Sequence, residues 1–150
     1  MSYKFNFPKQ SNTFPLEGII FLPIQEERLT MRQTLFERYG GFAKISKVVM
    51  SFYDKILSSP LLAPYFAKTD MKRLIDHQTK FVSSLMGGPA SYTNEHLERV
   101  HAHLGITETA FKESVILMKE TLEDHDFLDD DVQTVGDAMN STKNYIVAKK

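Results

Sequence analysis

A histidine beside an apolar helical stripe is the first candidate for chemistry in this sequence. Leu97, Val100 and Leu104 recur at helical spacing, and His101 follows Leu97 by one turn, so the histidine shares the inward-facing side. Such a histidine is either a core residue with a hydrogen-bond partner or a ligand, because neutral imidazole coordinates metals. The residues alone leave both interpretations open.

Two polar side chains interrupt other inward faces. Gln78 lies between Leu74 and Phe81 on one side of a helical pattern, and Tyr53 lies at the inner edge of an earlier pattern. A buried amide or phenol without a partner costs about 1–3 kcal/mol. Each side chain is therefore expected either to have a protein partner or to face a polar ligand.

The other histidines near the C-terminal half do not form a metal cluster. His101 and His103 are two residues apart, and such residues on a helix diverge by about 200°, so they cannot share one metal. We expect His103 to face solvent or the edge of a site. His96 and His125 are expected on the surface.

Helical patterns position these residues from Thr30 onward. The first predicted helix is short, with a cap at Thr30 and an end at Gly40-Gly41, and the second spans 42–57. The third has its cap at Thr69 or Asp70 and stops at 87–89, and the fourth carries His101 and ends at Gly105. The fifth spans 107–123 with a cap at Thr107, and the last runs from Asp129 to 146. Region 30–150 contains no Val/Ile-rich alternating strand pattern. The predicted fold class is all-α.

Residues 1–29 differ from the rest and are predicted to form an N-terminal extension to a domain over 30–150. The extension has no helical period but contains three prolines and alternating aromatics: Tyr3, Phe5, Phe7, Pro8, Pro15 and Pro23. It is either an arm docked on the domain or a mobile tail that offers its aromatics to a partner. We prefer the docked arm, because mobile tails are usually poor in aromatics.

Composition excludes several classes of protein. The net charge of −1 and the absence of long basic runs argue against a nucleic-acid surface. The absence of cysteine excludes disulfides, iron–sulfur clusters and haem attachment through CxxCH. The longest apolar run, 18–23, is too short to span a membrane, and the N-terminus lacks a signal-peptide pattern. We therefore expect a cytoplasmic protein.

Several motifs follow one another in a characteristic order. They are Gly40-Gly41, Phe52-Tyr53, Tyr65-Phe66, the set Leu74, Gln78 and Phe81, then Gly87-Gly88-Pro89, Val100-His101, Leu104-Gly105-Ile106-Thr107 and Phe111. In this order and spacing, residues 31–147 resemble a truncated haemoglobin of group I. That family packs a two-over-two helical sandwich around haem b.

The resemblance implies a role for each matching residue. It makes His101 the proximal iron ligand and Tyr53 with Gln78 a distal hydrogen-bonding pair. The remaining implied haem contacts are apolar: Phe66 on the haem face, Leu74 and Phe81 as distal walls, and Leu97 with Ile106.

The resemblance leaves the role of His77 open. In some relatives a histidine or lysine at the corresponding place binds iron as a sixth ligand. His77 also lies about 100° around its helix from Gln78, which would direct it to solvent. A covalent bond between a haem vinyl group and a histidine such as His103 is likewise left open.

The resemblance also implies the function. The first expectation is a monomeric globin that binds O₂ and other diatomic ligands, including nitric oxide, without nucleic-acid or membrane partners. One alternative is nitric oxide dioxygenation or peroxidase-like protection, which needs an external reductase. Another is a bis-histidine redox or sensor protein, and the last is a haem-free helical interaction protein.

Overall fold

The computed structural model describes residues 33–89 and 92–149. Within this part of the chain the regular structure is entirely helical, which confirms the predicted fold class. The elements are α1 (Leu35–Arg38), α2 (Gly41–Leu57), a 3-10 turn (Ala63–Phe66), α3 (Met71–Leu85), α4 (Asn94–His101), α5 (Glu108–Asp124), α6 (Asp129–Asn140) and α7 (Lys143–Ile146).

Two pairs of longer helices build the core. Helix α2 packs on α3, α5 packs on α6, and the two pairs meet where α2 contacts α5. Fully buried aliphatic side chains fill this junction, among them Ile45 and Val49 from α2, Met118 and Leu122 from α5, and Val135 from α6. The arrangement is the expected two-over-two sandwich.

Side-chain caps set several helix starts. Thr34 caps α1 through a reciprocal pair with Glu37: Glu37 N donates to Thr34 Oγ1 (3.1 Å) and Thr34 N donates to Glu37 Oε1 (3.2 Å). Asp70, rather than Thr69, caps α3. Thr107 caps α5 as predicted. The predicted cap at Thr30 lies outside the described residues.

Two predicted helix ends were wrong. Helix α4 ends at His101 with Ala102 as its cap, and Gly105 lies three residues further on with φ of +65°. The last predicted helix is divided into α6 and α7. Both the amide and the hydroxyl of Thr142 donate to the Met139 carbonyl, and this local pairing replaces the helical hydrogen bond.

The start of helix α1 is hydrogen-bonded to the end of α3. Phe36 N donates to Met86 O (2.9 Å), just beyond α3. A Cβ on Gly88 would lie 2.8 Å from both Phe36 Cδ1 and Ser83 O, so glycine is what permits this close approach. The start of α1 therefore sits directly against the end of α3.

A cluster of polar and aromatic side chains joins α1 to α6. Tyr39 Oη donates to Asp131 Oδ2 (2.5 Å) and accepts from Leu128 N (3.1 Å), while the Tyr39 ring stacks on Phe127 at 3.7 Å. Arg38 Nη1 donates to the same Asp131 carboxylate (2.8 Å). The Arg38 guanidinium holds the pKa of Asp131 below its usual value.

No helix over 33–89 and 92–149 is both long and apolar enough to cross a membrane. The division between an extension over 1–29 and a domain over 30–150 stays a prediction.

Candidate functional site

A cavity of about 590 Å³ lies between the helix pairs and the short helix α4. All the residues singled out from the sequence as cofactor or ligand contacts line it: Tyr53, Phe66, Leu74, His77, Gln78, Phe81, Leu97, His101 and Ile106. The structure thus brings together side chains from α2, the 3-10 turn, α3, α4 and the loop after α4.

His101 stands at the C-terminal end of α4 and is half-buried. Its Nδ1 hydrogen-bonds the Leu97 carbonyl oxygen at 2.7 Å. A carbonyl only accepts, so the ring proton is on Nδ1, and Nε2 keeps its lone pair. Burial lowers the pKa of His101, which favours the neutral ring. This histidine is in the protonation state that an axial metal ligand requires.

Tyr53 supplies a polar group on the α2 side of the cavity. Its side chain is only 6% exposed, and its ring makes edge contacts with Phe52 (5.0 Å) and Phe66 (5.6 Å). Burial raises the pKa of Tyr53 well above its usual value, so the hydroxyl keeps its proton at neutral pH and can donate.

Gln78 supplies a second polar group from α3, where it is half-buried. Neither the Gln78 amide nor the Tyr53 hydroxyl has a hydrogen-bond partner among residues 33–89 and 92–149. Two lining donors without protein partners favour the interpretation in which both face a polar ligand.

Apolar and aromatic side chains form most of the remaining wall. Phe81 makes an edge contact with Tyr92 (5.5 Å), and Tyr92 in turn lies 5.6 Å from the His96 ring. The Tyr92 hydroxyl donates to the His77 carbonyl oxygen (3.2 Å). Sequence reasoning missed Tyr92, which precedes the Thr93 cap of α4, so helical periodicity gave no signal for its position.

The expected surface position of His96 was wrong. His96 is half-buried and lines the cavity, where Arg99 Nη2 donates to its Nδ1 (3.0 Å). It stands in the first turn of α4, a helix that turns one side toward the cavity. His125 is also half-buried, because it pairs with Ser51 across the α2–α5 contact (2.9 Å).

His77 and His103 occupy different settings. His77 is exposed but still lines the cavity, so its side chain lies at the rim. His103 is exposed, as expected, and is not among the lining residues.

The apolar stripe of α4 divides between core and cavity. Leu97 is buried at 6% exposure, whereas Val100 (39%) and Leu104 (42%) line the cavity and are partly open. Periodicity identified the correct side of the segment. It could not distinguish a face that packs against protein from one that borders a binding space.

The lining has the donor set that haem requires. It offers apolar walls for a flat macrocycle, one neutral histidine with a free nitrogen, and two unpaired donors. Arg73 is exposed at the rim and carries a positive charge suited to the carboxylates at the edge of a haem. The residues that line the cavity therefore fit haem.

Comparison with known proteins gives one consistent result. Residues 34–148 match the family model for bacterial-like globins. A group 1 truncated hemoglobin of Nostoc sp. is 28% identical over 116 residues, covering 77% of this chain and 98% of the relative. One from Mycolicibacterium paratuberculosis is 35% identical over 74 residues, covering 49% of this chain and 54% of the relative.

Solved structures agree with the sequence comparisons. The crystal structure of truncated hemoglobin from Tetrahymena pyriformis in its Fe(III) form superposes with a TM-score of 0.72 at 25% identity. The match covers 78% of this chain and 100% of that chain.

Proposed function

The chain belongs to the bacterial-like globin family and is similar to group 1 truncated hemoglobins. We propose that it is a truncated haemoglobin of group I that binds haem b through His101 and uses the bound haem to hold O₂. The family implies haem binding and diatomic gas ligands in general. The haem type, the preferred gas and the roles of individual residues are the content of the proposal.

The observation that carries the proposal is that one cavity holds a histidine with a free ring nitrogen together with two unpaired donors from other helices. His101, on α4, has its Nδ1 proton fixed by Leu97, which leaves Nε2 free. Tyr53 on α2 and Gln78 on α3 line the same cavity without a hydrogen-bond partner among the described residues. A pocket with a ligating nitrogen and unpaired donors suits an iron centre whose gas ligand accepts hydrogen bonds.

Each residue has a distinct task in this proposal. Haem iron supplies the centre that binds the diatomic ligand. His101 holds the cofactor at Nε2, and the Leu97 carbonyl keeps the imidazole in the correct tautomer. Tyr53 and Gln78 donate hydrogen bonds to a ligand in the distal space, which favours ligands that draw electron density, such as O₂, over apolar ones.

The apolar walls keep water away from the ligand. Phe66 and Leu74 lie beside the two donors, with Phe81 further along α3, and all three line the cavity. A hydrogen bond made in such a low-dielectric setting is stronger than the same bond in water. Arg73 at the rim would pair with haem carboxylates.

His77 supports a second candidate, a bis-histidine haem with a redox or sensing role. Its exposed side chain lines the same cavity as His101 and has no partner among the described residues. A side chain at the rim without a partner can move toward the iron at little cost. Oxygen would then have to displace it.

Nitric oxide dioxygenation would use the same distal donors with an electron donor from another protein. Mixing the O₂-loaded protein with nitric oxide and measuring nitrate distinguishes this reaction from simple gas binding.

Haem titration of the apoprotein tests the main proposal. We expect one haem per chain with a Soret band of histidine-ligated haem, and a large loss of affinity in His101→Ala. His125→Ala is the matched control, because His125 is also half-buried but pairs with Ser51 away from the cavity. A His101→Ala protein with wild-type haem affinity and an unchanged ferrous spectrum would exclude the proximal assignment.

A further inference from the structure

Hydrogen bonds from two distant parts of the chain hold the loop that follows the proximal helix. We call residues 102–107 the proximal loop. Tyr65 Oη donates to the Gly105 carbonyl oxygen (3.4 Å) and accepts from Thr107 N (3.3 Å). Ala148 N donates to the Ile106 carbonyl oxygen (2.8 Å). Three consecutive residues of the loop are thus fixed through their backbone.

Few side chains of α4 and the proximal loop are buried. Helix α4 buries a single side chain, Leu97. Gly105 adopts a left-handed conformation, and a Cβ added there would meet no atom within 4 Å. Space is open beside Gly105, whereas Ile106 packs against the core, so backbone hydrogen bonds and this one side chain together determine where the loop lies. His101 is the last residue of α4, so the loop position also sets the position of the imidazole.

Tyr65 connects the two sides of the cavity. It shares the 3-10 turn with Phe66, whose ring packs edge-on against Tyr53. The same turn therefore touches the distal donor through Phe66 and the proximal loop through Tyr65. The side chain of Tyr65 is half-buried and lines the cavity, so its ring stays in place without the hydroxyl.

Building on the proposed haem function, we propose that Tyr65 is a positioning residue whose hydroxyl fixes the proximal loop, and with it His101, relative to Phe66. The hydroxyl touches neither iron nor gas ligand in this role. It acts by limiting the excursions of the loop. Both of its hydrogen bonds are longer than the usual range and are therefore weak, so their loss should loosen the loop without unfolding the domain.

The test compares Tyr65→Phe with Tyr39→Phe. Tyr39 is a matched control, because its hydroxyl also donates once, to Asp131, and accepts once, from Leu128 N, but it does not line the cavity. Three measurements are made on each variant: amide hydrogen exchange of Thr107 in the apoprotein, the iron–histidine stretching band of the ferrous protein, and the rate of haem transfer to an excess of apomyoglobin.

We expect Tyr65→Phe to speed Thr107 exchange severalfold, to shift or broaden the iron–histidine band, and to raise the haem-loss rate about three- to tenfold. Tyr39→Phe should lower the Tm but leave all three readouts at the wild-type value. If Tyr65→Phe takes up haem but its Thr107 exchange, iron–histidine band and haem-loss rate are unchanged, the positioning role is overturned and the proposed haem function is not. Equal changes in both variants would also overturn the positioning role, because they would show a general loss of stability. Failure of the wild-type protein to take up haem would instead overturn the function on which the role depends.

Discussion

The Tyr53 ring meets the Phe66 ring edge-on, with centroids 5.6 Å apart and planes at 76°. This contact fixes the Tyr53 ring independently of its hydroxyl, because edge-to-face aromatic pairs have a preferred geometry. A Tyr53→Phe substitution should therefore remove the hydrogen-bond donor without moving the ring.

Tyr53→Phe should raise the O₂ dissociation rate about 5- to 150-fold. This range corresponds to the loss of about 1–3 kcal/mol of charge-assisted hydrogen bonding. Stopped-flow displacement of O₂ measures the rate, and Tyr39→Phe serves as the control outside the cavity. An unchanged rate would mean that the Tyr53 hydroxyl does not reach the ligand.

The ferric protein without added ligand should be low-spin, with His77 as the sixth ligand. His77→Leu should convert it to a high-spin water-bound form and speed the binding of exogenous ligands, because the competing imidazole is gone. Visible and electron paramagnetic resonance spectra report the change. Lys72→Leu is the control, since Lys72 is exposed on the same helix but does not line the cavity. A high-spin wild-type spectrum would assign His77 to the surface.

Asp131→Asn should lower the free energy of unfolding by about 1–2 kcal/mol at pH 7. The Arg38 hydrogen bond lowers the pKa of Asp131 in the folded state. The stabilisation is thus fully present above the unfolded-state pKa of about 3.9 and is lost as pH falls through the folded-state pKa. The free energies of unfolding of the wild type and of Asp131→Asn, measured with urea, should differ less at pH 3 than at pH 7. Asp130→Asn, on an exposed neighbour, should show a smaller difference at pH 7.

Ser83→Ala should raise the free energy of unfolding by about 1 kcal/mol. The Ser83 side chain is fully buried, and its hydroxyl has no partner among the described residues, so alanine removes an unsatisfied polar atom. Ser84→Ala is the opposite control, because the Ser84 hydroxyl donates to Phe81 O (2.6 Å) and its loss should destabilise. A destabilised Ser83→Ala protein would indicate an internal water bound to the hydroxyl.

Local patterns predicted the residues whose direction is set by one helix. The 3.6-residue period directed Gln78 and His101 inward, and both line the cavity. The side-chain cap at Thr107 was also visible, and Asp70 was one of two candidates with Thr69, because a cap and its partner lie within three residues of each other. The all-α fold followed from the same signals.

Features that depend on tertiary placement were not predictable from these patterns. The bond between Tyr65 and Gly105 joins residues 40 positions apart. The end of α4 at His101 was also missed, since Gly105 is a plausible cap in sequence but adopts its left-handed conformation within the proximal loop. The position of His96 depended on which side of α4 borders the cavity.

The seat of α1 against the end of α3 has a mechanical consequence. Phe36 N is bonded to Met86 O, and Gly88 lets the Phe36 ring approach without a spacer. Helix α1 also contacts α2, which follows it directly in the chain. A displacement of α1 would therefore be passed both to the helix that carries Tyr53 and to the helix that carries Gln78.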